Sequence, residues 1–324
     1  MSEISANVAR ELGATPMHDS AELSRSLKSR HVSMIAIGGI IGAGLFVGSS
    51  TTIHTAGPAA VVSFAIAGFI ILLVMRMLSE MALAVDGVQT FPEFARVGLG
   101  HLAGFLSGWL YWYFWMVVVA IEAIAGAQII HGWFPGIPEF GIGIGLMALL
   151  TAVNLLSAKA YGEFEFWFSS IKVAAIIVFI LLTAAWAFGF TSGDGSSFGN
   201  LTQHGGFAPN GWGVVLAAAT STIFSLCGAE IATIAAAESK EPAKVIGRMT
   251  VSVTLRILIF YILSILLIVA VVPWGNIVPK VSPFATTLAF MGYPAGKLIM
   301  EAVVLVAVLS CLNSGLYVTS RALF

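Results

Sequence analysis

The sequence predicts an all-α integral membrane protein with eight transmembrane helices, and three observations lead to that class. Of the 324 residues, 58% are hydrophobic and only 10% are charged, and the mean hydropathy is +0.97. Soluble domains are rarely so poor in charge. The apolar residues also gather in runs of roughly 20, the length at which a helix crosses about 30 Å of hydrocarbon.

Eight such runs occur, and each is predicted to form one transmembrane helix. Their approximate bounds are residues 32–54, 59–84, 102–131, 140–157, 166–190, 213–237, 249–272 and 297–323. Eight crossings return both ends of the chain to one side of the membrane, and basic residues indicate that side. The N-terminal side holds Arg25, Lys28, Arg30, Arg76, Arg96, Lys159, Lys240, Lys244, Arg248 and Arg321. The opposite loops hold only Lys280 and Lys297, so both termini are predicted to be cytoplasmic.

These spans divide the chain into four segments. Residues 1–31 are a polar cytoplasmic tail, and residues 32–190 hold spans one to five. Residues 191–212, rich in Gly, Ser and Asn, form an outside loop before spans six to eight in residues 213–324. Residues 89–97 are predicted to form a short surface helix. No cleaved signal is expected, because the first apolar run lacks a small-residue cleavage site after a short apolar core.

Glycines are concentrated in the first span, in the segment Ile37-Gly-Gly-Ile-Ile-Gly-Ala-Gly-Leu-Phe46. That density is unfavourable for an unbroken helix. One interpretation is a groove for helix packing, since Gly38 and Gly42 have the common contact spacing. The other is an unwound segment that faces a cavity, because free N–H and C=O groups are tolerated at membrane depth only where something polar satisfies them.

A second interruption, in the sixth span, favours the cavity. The segment Phe224-Ser-Leu-Cys-Gly-Ala-Glu230 places a glycine beside an acidic residue inside an apolar run. Paired breaks in corresponding halves indicate inverted repeats with a substrate site near the membrane midplane. The N-terminal ends of the resumed half-helices suit a carboxylate, and the carbonyl ends of the preceding halves suit an ammonium. A zwitterion satisfies both poles, whereas a sugar or a lipid uses neither well.

Longer motifs occur along most of the chain. They are Leu27-Lys-Ser-Arg-His31, Ile40-Ile-Gly-Ala-Gly-Leu-Phe-Val-Gly-Ser49, Met75-Arg-Met-Leu-Ser-Glu-Met-Ala82, Gly108-Trp-Leu-Tyr-Trp112, Tyr161-Gly-Glu-Phe-Glu-Phe-Trp167, Gly228-Ala-Glu-Ile-Ala-Thr-Ile-Ala-Ala-Ala-Glu238 and Ser310-Cys-Leu-Asn-Ser-Gly-Leu-Tyr317. These segments resemble the amino-acid permeases of the amino acid–polyamine–organocation superfamily, and most of all its bacterial γ-aminobutyrate (GABA) permeases. The resemblance implies a non-enzymatic secondary transporter that imports a small amino acid, with γ-aminobutyrate favoured, by proton symport through alternating access. The alternatives are a permease for another neutral, aromatic or basic amino acid, and a non-transporting amino-acid sensor on the same fold.

The resemblance also implies a five-plus-five inverted-repeat fold of twelve spans, with spans one and six broken. This chain stops at Phe324, near the end of span eight. We therefore expect a fragment of a twelve-span protein of the bacterial inner (plasma) membrane, with a reduced relative as the alternative.

Carried over residue by residue, the resemblance assigns a substrate site at the two breaks. The residues expected to face the substrate are Ile40, through its carbonyl, with Gly42, Ala43 and Gly44 from span one, and Phe224, Ser225 and Cys227 from span six. Phe224 corresponds to an aromatic gate over the substrate.

Charged residues inside spans are costly, so each is a candidate functional group. Lys172 in span five matches a lysine that some relatives place against span one, where a sodium ion sits in sodium-coupled members. It either relays the coupling proton, since lost hydration destabilises its charge, or tethers span five structurally. Glu122 in span three and Glu230 after the second break either carry the coupling proton or bond freed backbone groups.

Other classes of function are disfavoured. No His-Glu-x-x-His or paired Asp motif supports an intramembrane enzyme, and two local breaks do not line the continuous polar pore of a channel. No basic stripe with interleaved aromatic residues indicates nucleic-acid binding. Cys227 and Cys311 lie in apolar runs, which favours packing thiols over a disulfide or a zinc site. No metal or cofactor is expected, and the predicted partners are a small amino acid, a proton and the lipid bilayer.

Overall fold

The computed structural model describes residues 40–85, 90–155, 158–191, 197–228, 230–231 and 242–321. Within these residues the regular structure is helical and includes no β-strand. The α-helices are α1 Ser49–Ala56, α2 Ala60–Ala84, α3 Phe91–Leu99, α4 His101–Trp133, α5 Glu139–Asn154, α6 Ala158–Ala187, α7 Asn200–Gln203, α8 Trp212–Leu226, α9 Pro242–Val271, α10 Pro283–Phe290 and α11 Pro294–Arg321. The predicted tail, the start of span one and the end of span six lie outside the described residues.

Among the described residues, four helical stretches are long and apolar enough to cross a membrane. They are Gly44–Met81, His101–Trp133, Glu163–Ala187 and Pro294–Ser320. Three shorter apolar helices accompany them, at Glu139–Asn154, Trp212–Leu226 and Leu258–Val271. Each overlaps a predicted span, and the first stretch covers the predicted spans one and two. The all-α prediction is confirmed, while the count of eight spans and the inverted repeat stay predictions.

The first stretch is a helical hairpin whose two arms pack on α8. From Thr52 to Thr55 in α1, the partners move back along the chain, from Thr222 in α8, at 3.4 Å, to Asn210, which precedes α8 and donates to the Thr55 carbonyl. From Ala59, just before α2, to Ser63 in α2, the partners move forward along the chain, from the Phe207 carbonyl before α8 to the Val215 carbonyl in α8. The two arms, α1 and α2, therefore run in opposite directions.

A turn at Gly57 reverses the chain between these arms. Its φ of +67° and ψ of −149° belong to a region that only glycine adopts without strain. A Cβ atom there would also lie 2.5 Å from Pro209 Cγ. The hairpin thus depends on the absence of a side chain at this residue.

Large apolar side chains cover the outer faces of the long helices. On α4, Leu110 is 67% exposed and Tyr113 64%, and on α6 Trp167 and Leu181 are each 64% exposed. The interior, by contrast, holds fully buried polar groups such as Lys172. Exposed apolar faces of this kind indicate contact with a membrane or a partner, and lipid tails suit helices of this length.

Some boundaries differ from those predicted. The helix α6 begins at Ala158, before the predicted start at residue 166, so the charged segment before that point also lies in the helix. The helix α10 was not predicted, because Pro283 and the polar residues before it interrupt the apolar pattern. The predicted surface helix corresponds to α3, which begins with a capping box between Thr90 and Glu93.

Replacement of Gly57 by alanine should destabilise the hairpin. The strained backbone costs about 1–3 kcal/mol, and the new Cβ atom would meet Pro209. Thermal unfolding of the purified protein in detergent should therefore show a midpoint several degrees below wild type. The matched control is Gly213→Ala on α8, because outside the neighbouring residues and its own helix backbone no atom lies within 4 Å of a Cβ there. Equal midpoints for the two variants would contradict the role given to Gly57.

Candidate functional site

The first helix break lies at Ile41 and Gly42, which have no helical conformation. The chain then re-enters helix through a π-helical turn at Gly44–Gly48, which continues directly into α1. A Cβ atom at Gly42 would lie 2.6 Å from Glu122 Oε1 and 2.8 Å from Cys311 Sγ. Glycine at this position therefore lets α4 and α11 approach the broken backbone closely.

Buried side chains satisfy the backbone groups that this break releases. The Ala43 N–H donates to the two carboxylate oxygens of Glu122, at 3.0 and 3.2 Å. Lys172 Nζ donates to the Ile41 carbonyl at 3.0 Å. The break therefore has two poles. The N–H pole, at Ala43, bonds a carboxylate side chain, and the carbonyl pole, at Ile41, bonds an ammonium side chain.

The second break follows the end of α8 at Leu226. Cys227 is extended, with φ −64° and ψ 151°, and Gly228 has a φ of +110°, which favours glycine. The Gly228 N–H donates to Glu230 Oε2 at 2.9 Å, and the Tyr111 hydroxyl lies 3.4 Å from Glu230 Oε1. A carboxylate therefore bonds a freed N–H at this break as well.

Tyr261 of α9 joins the two breaks. Its buried hydroxyl lies 2.8 Å from the Ile40 carbonyl and 3.0 Å from the Ser225 carbonyl. The backbones are close at the same place, because a Cβ atom at Gly44 would lie 2.7 Å from Ser225 Cα. The breaks predicted from separate segments of sequence are therefore neighbours in the fold.

A small cavity opens where the breaks meet. Its lining residues are Ile40, Gly42, Gly44, Phe114, Trp115, Val118, Glu122, Phe224, Ser225, Cys227 and Cys311. The volume open to the centre of a water molecule is about 20 Å³, which is room for roughly one water. The rings of Phe114 and Phe224 meet edge to face beside it, with centroids 5.9 Å apart. These rings would have to move for a larger molecule to enter.

All the residues predicted to face a substrate line this cavity, except Ala43, which is buried with its N–H bonded to Glu122. Of the predicted coupling residues, Glu122 lines the cavity, whereas Lys172 and Glu230 hold backbone groups beside it. The assignment of these residues to binding and coupling stays a prediction.

Lys172 has two further partners that the sequence did not single out. Its Nζ donates to Ser310 Oγ at 2.8 Å and lies 3.9 Å from Glu165 Oε1. The hydropathy pattern did not indicate Glu165, because the predicted span five begins one residue after it. In the structure this carboxylate lies inside α6 and is fully buried.

Tyr261 was also missed, and its only signal was a single tyrosine in an otherwise apolar stretch. The aromatic side of the cavity, formed by Phe114 and Trp115, had no signal beyond an aromatic-rich span. Within the described part of the chain, no cluster of His, Cys, Asp or Glu side chains could hold a metal ion.

Comparison with known proteins extends over nearly the whole chain. The amino acid permease family model matches residues 31–324. A probable GABA permease of Pseudomonas aeruginosa is 49% identical over 312 residues, covering 95% of this chain and 66% of that protein. The gamma-aminobutyric acid permease of Bacillus subtilis is 49% identical over 303 residues, covering 93% of this chain and 65% of that protein.

A relative named for different substrates also matches. The D-serine/D-alanine/glycine transporter of Escherichia coli is 38% identical over 305 residues, covering 93% of this chain and 65% of that protein. The chain thus spans 65–66% of the length of these three relatives. Because the family model covers almost all of the sequence, the chain belongs to the amino acid permease family.

Proposed function

We propose that the protein is a secondary active transporter that imports a small amino acid, with γ-aminobutyrate favoured, by proton symport through alternating access. We place it in the bacterial inner membrane as a multi-pass protein with a cytoplasmic N-terminus. The observation that carries this proposal is the cavity between two helix breaks, where backbone N–H and C=O groups that are not bonded within a helix converge and bond side chains instead. Membership of the permease family supports the same class of function.

The present partners of the broken backbone indicate what kind of ligand fits. A carboxylate, Glu122, holds the Ala43 N–H, and an ammonium, Lys172, holds the Ile41 carbonyl. A zwitterionic amino acid offers the same two groups on one molecule. Its carboxylate suits the N–H pole at the start of the resumed helix. Its ammonium suits the carbonyls of Ile40 and Ser225.

Entry of such a ligand requires rearrangement, because the cavity has room for roughly one water. Phe224 is the side chain best placed to move, since it is 37% exposed and packs edge to face on Phe114. Rotation of its ring would open the cavity on one side while the breaks stay closed on the other. Alternating access needs such a barrier on each side of a central site.

Proton coupling follows from competition at the N–H pole. A substrate carboxylate that approaches the Ala43 N–H comes within a few ångströms of the Glu122 carboxylate. Two such charges repel strongly where water is scarce, unless one of them takes up a proton. Proton binding and substrate binding then favour each other, and this reciprocity is what symport requires. Glu230 and Lys172 are the other candidates, because both bond backbone groups at the breaks.

The identity of the amino acid rests on the relatives. Two relatives named as permeases for γ-aminobutyrate are 49% identical to this chain, against 38% for the D-serine/D-alanine/glycine transporter. In a γ-amino acid, three methylene groups separate the ammonium from the carboxylate, so the site must accept a longer spacing between its poles. A neutral α-amino acid is the second candidate.

Uptake of labelled γ-aminobutyrate by cells that express the protein tests the transport class and the substrate together. Uptake should be saturable, and excess unlabelled γ-aminobutyrate should compete more strongly than alanine or phenylalanine. Stronger competition by the α-amino acids would overturn the choice of substrate. Binding of the labelled amino acid by purified protein without any uptake would favour the sensor.

Replacement of Gly44 by leucine should abolish uptake while leaving the amount of protein in the membrane unchanged. A Cβ atom at Gly44 lies 2.7 Å from the backbone of Ser225 and 3.3 Å from its hydroxyl, so the side chain would fill the space between the breaks. Gly44→Ala should weaken binding by about tenfold, or 1.4 kcal/mol. The matched control is Gly145→Ala on α5, where outside the neighbouring residues and its own helix backbone no atom lies within 4 Å of a Cβ. Wild-type uptake by Gly44→Leu would contradict the assignment of Gly44 to the substrate site.

Replacement of Lys172 by methionine separates a proton relay from a structural tether. If Lys172 carries the proton, the variant should bind and exchange substrate but lose accumulation driven by a pH gradient. If it only holds α6 against the first break, the variant should lose folding or affinity, while the remaining flux still follows the gradient. Lys297→Met, at a half-exposed lysine near Glu301, is the control. Persistent accumulation by Lys172→Met would move the coupling role to Glu122 or Glu230.

A further inference from the structure

A row of hydrogen bonds leads from Lys172 to Glu165 through the hydroxyl of Ser310. Lys172 Nζ donates to Ser310 Oγ at 2.8 Å, and Ser310 Oγ donates to Glu165 Oε1. The direct separation of Nζ and Oε1 is 3.9 Å, which is too long for a hydrogen bond. All three side chains are fully buried. The serine hydroxyl is therefore the polar link between the cation and the carboxylate.

This geometry allows a proton transfer that changes no net charge. Lys172 passes one Nζ proton to Ser310 Oγ, while the proton already on Oγ passes to Glu165 Oε1. The products are a neutral amine and a neutral carboxylic acid, and the serine is unchanged. Burial favours these neutral forms, because two charges in a dry interior lose their hydration. Hydrogen bonding to Ser310 and the mutual attraction of the charges favour the ionised forms, so the two effects oppose each other.

The transfer has a direction relative to the membrane. Glu165 precedes Lys172 by seven residues on α6, which corresponds to about 10 Å along the helix axis. The start of α6 faces the cytoplasm in the proposed topology. The two side chains bridge most of that rise, since Nζ and Oε1 are only 3.9 Å apart. The transfer therefore delivers the proton to the side chain whose backbone lies nearer the cytoplasmic end.

We propose that Ser310 relays the coupling proton from Lys172 to Glu165, a role that rests on the proposed proton-coupled import. Lys172 regains a proton from the outer side, and Glu165 releases one towards the cytoplasm. After the transfer the neutral amine is a weaker donor to the Ile41 carbonyl, so the tie between α6 and the first break loosens. The other titratable groups that act on Lys172 among the described residues are Glu122 and Cys311, and neither lies on this route.

The chain offers a matched pair of serines for the test. Ser169 also donates to Glu165 Oε1, at 3.2 Å, but it lies off the route to Lys172. The full-length protein is reconstituted in proteoliposomes, and two rates are measured with labelled γ-aminobutyrate. One is exchange at equal pH on both sides, and the other is accumulation driven by an inward proton gradient.

Ser310→Ala should keep exchange near the wild-type rate and lower gradient-driven accumulation by at least about tenfold, as expected when a proton-transfer group is lost. Ser310→Thr keeps a hydroxyl and should restore accumulation. Glu165→Gln should behave as Ser310→Ala does, whereas Ser169→Ala should behave as wild type. If Ser310 had only a structural role, Ser310→Ala would lower exchange and accumulation together. The Ser310 and Ser169 variants would then not differ in accumulation alone.

Three outcomes would overturn the relay. They are wild-type accumulation by Ser310→Ala, an equal loss in Ser169→Ala, and a parallel fall of exchange and accumulation in Ser310→Ala. Another result would contradict proton symport itself and therefore the relay as well. In that case the wild-type protein would exchange γ-aminobutyrate but would not accumulate it under the gradient. The wild-type measurement thus separates failure of the proposed function from failure of the relay alone.

Discussion

The backbone groups that the two helix breaks release determine how the centre of this structure is built. A break in a buried helix frees N–H and carbonyl groups, and each one left without a partner costs about 1–3 kcal/mol. Here the Ala43 and Gly228 N–H groups bond glutamates, while the Ile41 carbonyl bonds a lysine. The buried charges and the broken helices therefore depend on each other, because neither would be tolerated in apolar surroundings alone.

That dependence links stability to function. The side chains that hold the broken backbone carry the same kinds of group as the ends of an amino acid. In the proposed function, a ligand would take their place with little change in the number of hydrogen bonds. The displaced carboxylate or ammonium would then keep or lose its charge, and this choice would couple binding to protonation.

The sequence predicted the helical class and the two breaks, because apolar run length and clustered glycines are local signals. It also indicated Glu122 and Lys172, since charge inside an apolar run is conspicuous. It did not reveal Tyr261 or Ser310, because one hydroxyl in a span is common and its partners are distant in sequence. Glu165 was missed for a different reason, since a hydropathy boundary stops where a charged residue begins, although the helix continues through it. The substrate itself has no local signal, so its identity rests on relatives.

The hydroxyl of Tyr261 has a single proton, yet it lies between two acceptors. It is 2.8 Å from the carbonyl of Ile40 and 3.0 Å from that of Ser225, and only one of these bonds can have full strength at a time. In the proposed alternating access, a half-helix that tilted away would leave the hydroxyl proton to turn towards the remaining carbonyl. Tyr261 would then let the two sides of the site move in turn, because at least one carbonyl would keep its bond.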